Sequence, residues 1–284
     1  MIGITIDCRL GNQLFQYAFA KTLAEQLGTG FYANEQLARF LAADYFDLKG
    51  YHRLTNPIKR LAFKLTHAQP LQPLQSIPVD DFDETFISEL TDGEIYRGYF
   101  QSALFFKDIA ATIGDYIRVK KKFQRKFQLT YRNLFAGNRV IVVHVRRGDY
   151  LHLNYWWQKN LGSSDLSLPL SYYQNCLKNV ELGENDKLVF VSDDMEYVRS
   201  EFAYLPNSMF VQNDAITDFQ LIMHADICII ANSSFAWWAA YLNPKKNKQV
   251  LCPQYWLGFK ISMEYPANII PPEWTQIAVH ADQT

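Results

Sequence analysis

The sequence has almost no net charge: 28 Lys and Arg stand against 29 Asp and Glu, a formal charge of -1. Nucleic acid therefore exerts no overall attraction, and any anion binding has to come from a local cluster of basic groups. Cysteine is scarce as well. The four present, Cys8, Cys176, Cys228 and Cys252, form neither a CxxC pair nor a His/Cys metal spacing, which leaves reduced, buried thiols as the simplest account. No run approaches the ~18 apolar residues of a membrane-spanning helix. The opening Met1-Ile2-Gly3-Ile4-Thr5-Ile6 lacks the basic and longer apolar regions of a secretory signal, so a cytoplasmic location is the default expectation. No fixed repeat of roughly 20–50 residues stands out, which argues against a solenoid.

What is present is ample for packed interiors. Hydrophobic residues make up 49% and aromatics 15%, well clear of the composition of disordered chains. A length of 284 residues suits two compact α/β lobes at roughly 100–200 residues each. Basic residues crowd the stretch from Arg118 to Arg132, including Lys120, Lys121, Lys122, Arg125 and Lys126, before Gly137-Asn138 breaks the pattern. The domain boundary is placed there, giving domains 1–136 and 137–284. The basic run reads first as a solvated helix face; the sharper reading is a landing patch for an anionic membrane, with peripheral contact at the inner membrane.

The chain opens as a strand (Ile2 to Ile6), a turn (Asp7 to Gly11) and a helix from about Asn12 to Leu27, where Phe15, Ala18, Phe19, Thr22 and Leu23 recur at helical spacing. Between Asn34 and Asp92 no topology is assigned; Gln69 to Leu74 reads as loop and Asp80-Asp81-Phe82-Asp83-Glu84 as an acidic patch. From Val140 onward strands and helices alternate. Strands are expected at Val140–Val145, Leu188–Val191, Met209–Val211, Ile227–Ile230 and Gln249–Leu251, with helices between them. Continuous apolar strands separated by helices point to a parallel sheet covered on both faces, hence a Rossmann-like C-terminal lobe.

Ligands of such sheets bind beyond the carboxyl ends of the strands. Three polar clusters follow the predicted strands: Arg146-Arg147-Gly148-Asp149, Ser192-Asp193-Asp194 and Asn232-Ser233-Ser234. An arginine fork matches phosphate oxygens, and a helix start offers N–H groups to the same anion, so these groups suit a nucleoside diphosphate. The plainer readings are a surface salt bridge for the arginines, N-capping for Ser233 and Ser234, and helix-dipole pairing for Asp193 and Asp194. Asp81-Phe82-Asp83 matches the DxD pattern of metal-dependent glycosyltransferases but sits in an acidic loop, and no metal is expected. Trp237-Trp238 reads as core; Trp156-Trp157, taken as loop, is a candidate platform for a sugar face.

These motifs resemble a known family. His144-Val145-Arg146-Arg147-Gly148-Asp149 is similar to the HxRRxD signature shared by α-1,2- and α-1,6-fucosyltransferases. Leu10-Gly11-Asn12-Gln13-Leu14-Phe15-Gln16-Tyr17-Ala18 resembles the GNQ(L/M)FQYA segment of the α-1,2 family, glycosyltransferase family 11. Phe190 to Asp194 and Ala231 to Ala240 resemble that family's two further motifs. The resemblance implies a GT-B type α/β fold of two Rossmann-like domains with a cleft between them. The N-terminal domain would be acceptor-side and the C-terminal one would bind the GDP-sugar. It also implies GDP-β-L-fucose as donor, a galactose-terminated glycan as acceptor, inversion, and no cofactor or metal.

Carried over by motif, Arg146 sits on the β-phosphate with Arg147 supporting it; Arg146 and Asp149 are the catalytic candidates, Asp149 being the first carboxylate for the base and Asp7 the second, with ion-pairing to the arginines as the plainer role of Asp149. His144 and Asp193 are expected at the guanosine, with Asp194 beside them. Asn232, Ser233, Ser234 and Phe235 bracket the diphosphate, while Asn12 and Gln13 approach from the opposite lobe. Asp7-Cys8-Arg9-Leu10-Gly11 departs from the GGLG that bacterial relatives often carry, and Arg9 becomes a further candidate phosphate contact. The alternatives are a fucosyltransferase of another linkage, such as α-1,6, and a non-catalytic nucleotide- or glycan-binding protein.

Overall fold

The computed structural model describes residues 1–67, 76–78 and 82–280. The expected loop at Gln69 to Leu74, and Asp80 and Asp81 of the acidic patch, lie outside the described residues. The chain divides into two compact units, Met1–Lys120 with Ala267–Ile269 and Lys121–Pro266 with Ile270–Thr284. No described helix is long and apolar enough to cross a membrane.

The first unit runs β1 (Ile2–Thr5), α1 (Leu10–Gln26), β2 (Phe31–Asn34), α2 (Ala42–Tyr45), β3 (Phe46–Leu48), α3 (Asn56–His67), β4 (Ser76–Pro78), α4 (Glu84–Ser88), β5 (Ile95–Arg97), α5 (Ile113–Tyr116) and β6 (Ile117–Val119). Its parallel sheet has the order β2-β1-β5-β4, while β3 and β6 pair antiparallel as a separate ribbon. Every residue of β1 and β2 is buried, as a parallel sheet covered on both faces requires. Asp83 caps α4, its carboxylate accepting the backbone N–H groups of Thr85 and Phe86. The second aspartate of the DxD pattern thus acts as a helix cap.

The second unit runs α6 (Lys121–Phe135), β7 (Val140–Val145), α7 (Tyr155–Leu161), α8 (Leu170–Lys178), β8 (Lys187–Ser192), α9 (Met195–Phe202), β9 (Ser208–Val211), α10 (Ala215–His224), β10 (Ile227–Ile229), α11 (Ser234–Tyr241), β11 (Gln249–Pro253) and β12 (Thr275–Ile277). Its six strands are ordered β12-β11-β10-β7-β8-β9, all parallel. Relabelled from β7, this is the 3-2-1-4-5-6 order of the doubly wound dinucleotide-binding fold. The chain winds outward from β7 to β9, then restarts on the other side of β7 with β10. The crevice at that reversal is where such sheets take ligands.

Three readings of the sequence are corrected. The units divide at Lys120–Lys121, ahead of the boundary expected at 136, because α6 packs on the second unit. Phe127 stacks on His224 with ring centroids 5.3 Å apart, and the Tyr131 hydroxyl donates to Asn213 Oδ1 at 2.9 Å. The Trp156-Trp157 pair is helical, lying in α7, which Asn154 caps by accepting the Trp156 N–H at 3.0 Å. Cys8 is exposed, although Cys176, Cys228 and Cys252 are buried free thiols. Its backbone has φ 58°, the left-handed region that glycine enters most easily, at a position where the family pattern often has glycine.

Candidate active site

β7 is a six-residue run with every position buried, so the first residues able to meet solvent are those just past its end. Those are Arg146 and Arg147. Beside β7, the register pairs Val145 with Ser192, which sets Asp193 and Asp194 alongside the arginines. On the other flank the Ala231 N–H donates to the His144 carbonyl at 3.2 Å, carrying the chain from β10 past β7 into α11. The sheet thus assembles at one crevice three segments far apart in sequence.

The charges there are interlocked. Arg146 is bound through Nη2 to Asp149 and through Nη1 to Asp193 Oδ2 at 2.8 Å. Arg147 Nε donates to Asp194 Oδ2 at 3.1 Å, and its backbone N–H donates to Asp193 Oδ1 at 3.0 Å. The Arg147 guanidinium also lies 3.6 Å from the centre of the Tyr197 ring, a cation–π contact that fixes its plane. Asp194 caps α9 through the Tyr197 N–H at 3.1 Å. Two guanidiniums face three carboxylates, and Asp149 is the most exposed of the five at 45%. The salt-bridge reading of the arginines is therefore realised, and Asp194, read as pairing with a helix dipole, caps α9.

Gly148 is the residue the sequence reading passed over. A Cβ there would collide with the Asp193 carboxylate, so glycine is what lets Asp193 reach the Arg147 backbone. A glycine between the arginine pair and an aspartate was the visible signal. Tyr150 was missed too. Its hydroxyl donates to the Asn232 carbonyl at 3.1 Å, tying the loop after β7 to the one after β10, and the Arg146 guanidinium sits 5.5 Å from its ring centre.

The predicted binders differ in what they can offer. His144 is buried, its imidazole 5.9 Å from the Phe235 ring. Burial, reinforced by Arg146, lowers its pKa to about 3, so it is a neutral ring at physiological pH; Nδ1 has no hydrogen-bond partner among the described residues. Asn232 is fully buried and its amide N–H donates to the Leu166 carbonyl at 3.0 Å, while its Oδ1 has no hydrogen-bond partner among the described residues. Ser233 is buried at the N-cap of α11 but its side chain makes no capping bond, contrary to the plain capping reading. Ser234 and Phe235 are half-buried and open the helix.

Asn12 and Gln13 belong to the first unit. Asn12 Oδ1 accepts from Gln101 Nε2 at 2.8 Å. Gln13 is fully buried: Nε2 donates to the carbonyls of Cys8 and Arg39, and Oε1 accepts the Ala42 N–H, all within 3.1 Å. Its amide is committed to backbone, so the expectation of substrate contact is replaced by a structural one. Gln16 does the same, accepting the Asp7 N–H and donating to the Gly98 carbonyl, each at 3.1 Å.

The profile of glycosyl transferase family 11 matches residues 83–278. The chain belongs to this family. A family 11 protein is a glycosyltransferase, and the arginine crevice lies within the matched segment. The chain is 34% identical over 134 residues to the O-antigen biosynthesis glycosyltransferase WbnK of Escherichia coli, covering 45% of this chain and 43% of that one. It is 26% identical over 292 residues to galactoside 2-alpha-L-fucosyltransferase SEC1 of Bos taurus, covering 97% of this chain and 73% of that one. Among solved structures, fucosyltransferase NodZ from Bradyrhizobium superposes with a TM-score of 0.52 at 14% identity, over 85% of this chain and 92% of that one. That similarity concerns the fold, a two-domain Rossmann-like GT-B architecture.

Proposed function

We propose that the protein transfers L-fucose from GDP-β-L-fucose to the 2-hydroxyl of a terminal β-galactose, with inversion at the anomeric carbon and without a metal. The observation that carries the reading is the arginine pair at the carboxyl end of β7, held by Asp149, Asp193 and Asp194 at the sheet's switch point. Relatives named for galactoside 2-α-fucosylation and O-antigen biosynthesis support the sugar, the linkage and a bacterial-type polysaccharide role.

In the reaction the galactose O2 attacks the fucose anomeric carbon as the bond from that carbon to the β-phosphate oxygen breaks. GDP leaves with the bonding electrons, and the O2 proton passes to a base. Positive charge builds on the sugar and negative charge on the departing diphosphate. Arg146 meets the latter, exchanging the carboxylates on its Nη1 and Nη2 for phosphate oxygens that match its planar fork. Asp149, the most exposed of the carboxylates, is the one released first. Arg147, pinned by Asp194 and Tyr197, supports the second phosphate, and Ser234 and the opening turn of α11 add N–H donors. With two guanidiniums on the leaving group, a divalent cation is dispensable. Asp149 is a positioning residue in this scheme.

The test is GDP release from GDP-fucose in EDTA with lactose as acceptor, followed by NMR of the product. A 2-O-fucosylated galactose formed in EDTA is expected. A fucose on another hydroxyl would overturn the linkage, and turnover restored only by added Mg²⁺ or Mn²⁺ would overturn metal independence.

A further inference from the structure

Helix α3 presents an apolar stripe to solvent that the transferase chemistry does not use. Its inner face is firmly held: Phe63 is fully buried, 5.0 Å from the Tyr32 ring. The Asn56 amide brackets Ala33, donating to its carbonyl at 2.9 Å and accepting its N–H at 2.8 Å. Lys59 Nζ donates to the Phe31 and Gly50 carbonyls. On the outer face Ile58, Leu61 and Leu65 are 58–78% exposed, and Leu54, in the turn just ahead of the helix, is exposed too. The helical three, at i, i+3 and i+7, fall in a single line down the helix. Soluble surfaces scatter such residues singly; a contiguous row marks a binding face.

The charge around the stripe identifies what it meets. No Asp or Glu occurs from Leu48 to Val79, while Lys49, Arg53, Lys59, Arg60 and Lys64 all do, in a chain whose total is -1. Arg60 and Lys64 flank the stripe along one side. Aliphatic side chains in a row with cations beside them suit the boundary between acyl chains and anionic headgroups. A protein partner fits less well, because interface hot spots favour Trp, Tyr and Arg over Leu and the stripe carries no aromatic. The basic helix α6 makes the contrast: its large exposed aliphatic is Leu129 alone, and Lys126 is paired with Asp214 at 2.7 Å.

We propose that α3 and the turn before it dock the first unit on an anionic lipid bilayer, inserting Ile58, Leu61 and Leu65 of the helix and Leu54 of the turn at the headgroup level with Arg60 and Lys64 on the phosphates. The test is co-sedimentation of the full chain with vesicles of phosphatidylcholine, with and without phosphatidylglycerol. Binding to the phosphatidylglycerol vesicles is expected, weakening as salt is raised. Ile58→Ser/Leu61→Ser/Leu65→Ser is expected to weaken it at least ~10-fold, and Arg60→Gln/Lys64→Gln by roughly fivefold for each charge removed. Lys121→Gln/Arg125→Gln on α6 leaves binding as it was.

Wild-type protein remaining in the supernatant with anionic vesicles overturns the proposal. So does a stripe variant that sediments like wild type, or loss of binding in the α6 variant. Lipid-free self-association that the stripe variant abolishes would assign the face to a second copy of the chain instead. Sedimentation reads docking regardless of which sugar is transferred, and fucosylation of soluble lactose stays unchanged in the α3 variants.

Discussion

The turn after β1 and the turn after β7 occupy equivalent places, each leaving the carboxyl end of a buried parallel strand, yet they are held by opposite means. The first is braced chiefly by neutral amides, with a single long ion pair between Arg97 and Asp7 at 3.5 Å beside them: Gln13 and Gln16 bond the backbone at Cys8, Arg39, Ala42, Asp7 and Gly98. The second is braced by ions, Arg146 and Arg147 against Asp149, Asp193 and Asp194. An amide bonded to main chain has nothing to exchange with a ligand. A guanidinium bonded to partly exposed carboxylates can trade them for phosphate at little cost, because the partners it releases return to water. Polar residues in two similar motifs thus divide into scaffold and site.

The sharpest break of that comparison is Arg146→Ala. It removes the cation proposed to meet the departing diphosphate and is expected to lower turnover ~100 to 1000-fold while the thermal unfolding midpoint stays close to wild type, since the pairs lost are partly exposed. Steady-state GDP release alongside calorimetry reads both quantities. The amide turn should respond the other way round: Gln13→Ala orphans the buried Ala42 N–H and strips the carbonyls of the exposed residues Cys8 and Arg39 of their donor, and is expected to cost about 2 kcal/mol of stability. Urea unfolding measures it, and a stability change below ~1 kcal/mol would mean that the amide brace does not hold the turn.

Gly148→Ala sharpens the ionic half, because the new methyl pushes Asp193 off the Arg147 backbone. Turnover about tenfold lower with an unchanged fold is the expected outcome, read from kcat and the far-UV spectrum; wild-type turnover would show that Asp193 does not position the arginines.

The smallest effect lies away from both turns. Burial, with help from the Asp214 carboxylate and against a hydrogen bond from Asn213, pushes Asp218 from 3.8 up to about 6. The unfolded chain ionises near 3.8 and the folded carboxyl only near 6, so stability falls as pH rises between those values and is then level. Asp218→Asn should therefore exceed wild type by ~1 kcal/mol above the upper value, with the advantage gone below the lower one. A difference independent of pH in urea titrations would contradict the burial argument.

Much of the second unit was legible because parallel strands buried on both faces leave unbroken apolar runs: Val140 to Val145 appears as read, and Ile227 to Ile230 is one residue longer than β10. Helix α7 was hidden because Tyr155, Trp156 and Trp157 give no helical spacing over so short a span, and its cap is a single asparagine. The boundary was misplaced because α6 reads as polar, with only Phe127 and Tyr131 buried to show which unit it joins. Motif position found Arg146 and Arg147, but their partner Asp193 is remote in sequence and adjacent only through the β7–β8 register. Gln13 reads in sequence like a ligand contact because an amide suits a backbone carbonyl as well as a sugar hydroxyl, and only its burial and backbone bonds show the brace.

The most direct test of the ionic turn as a diphosphate site is calorimetric titration of GDP and of guanosine, in EDTA, into wild type and Arg146→Ala. Wild type is predicted to bind GDP far more tightly than guanosine, and the variant to lose most of that difference while its guanosine affinity holds. An Arg146→Ala protein that still prefers GDP as strongly as wild type would contradict the account.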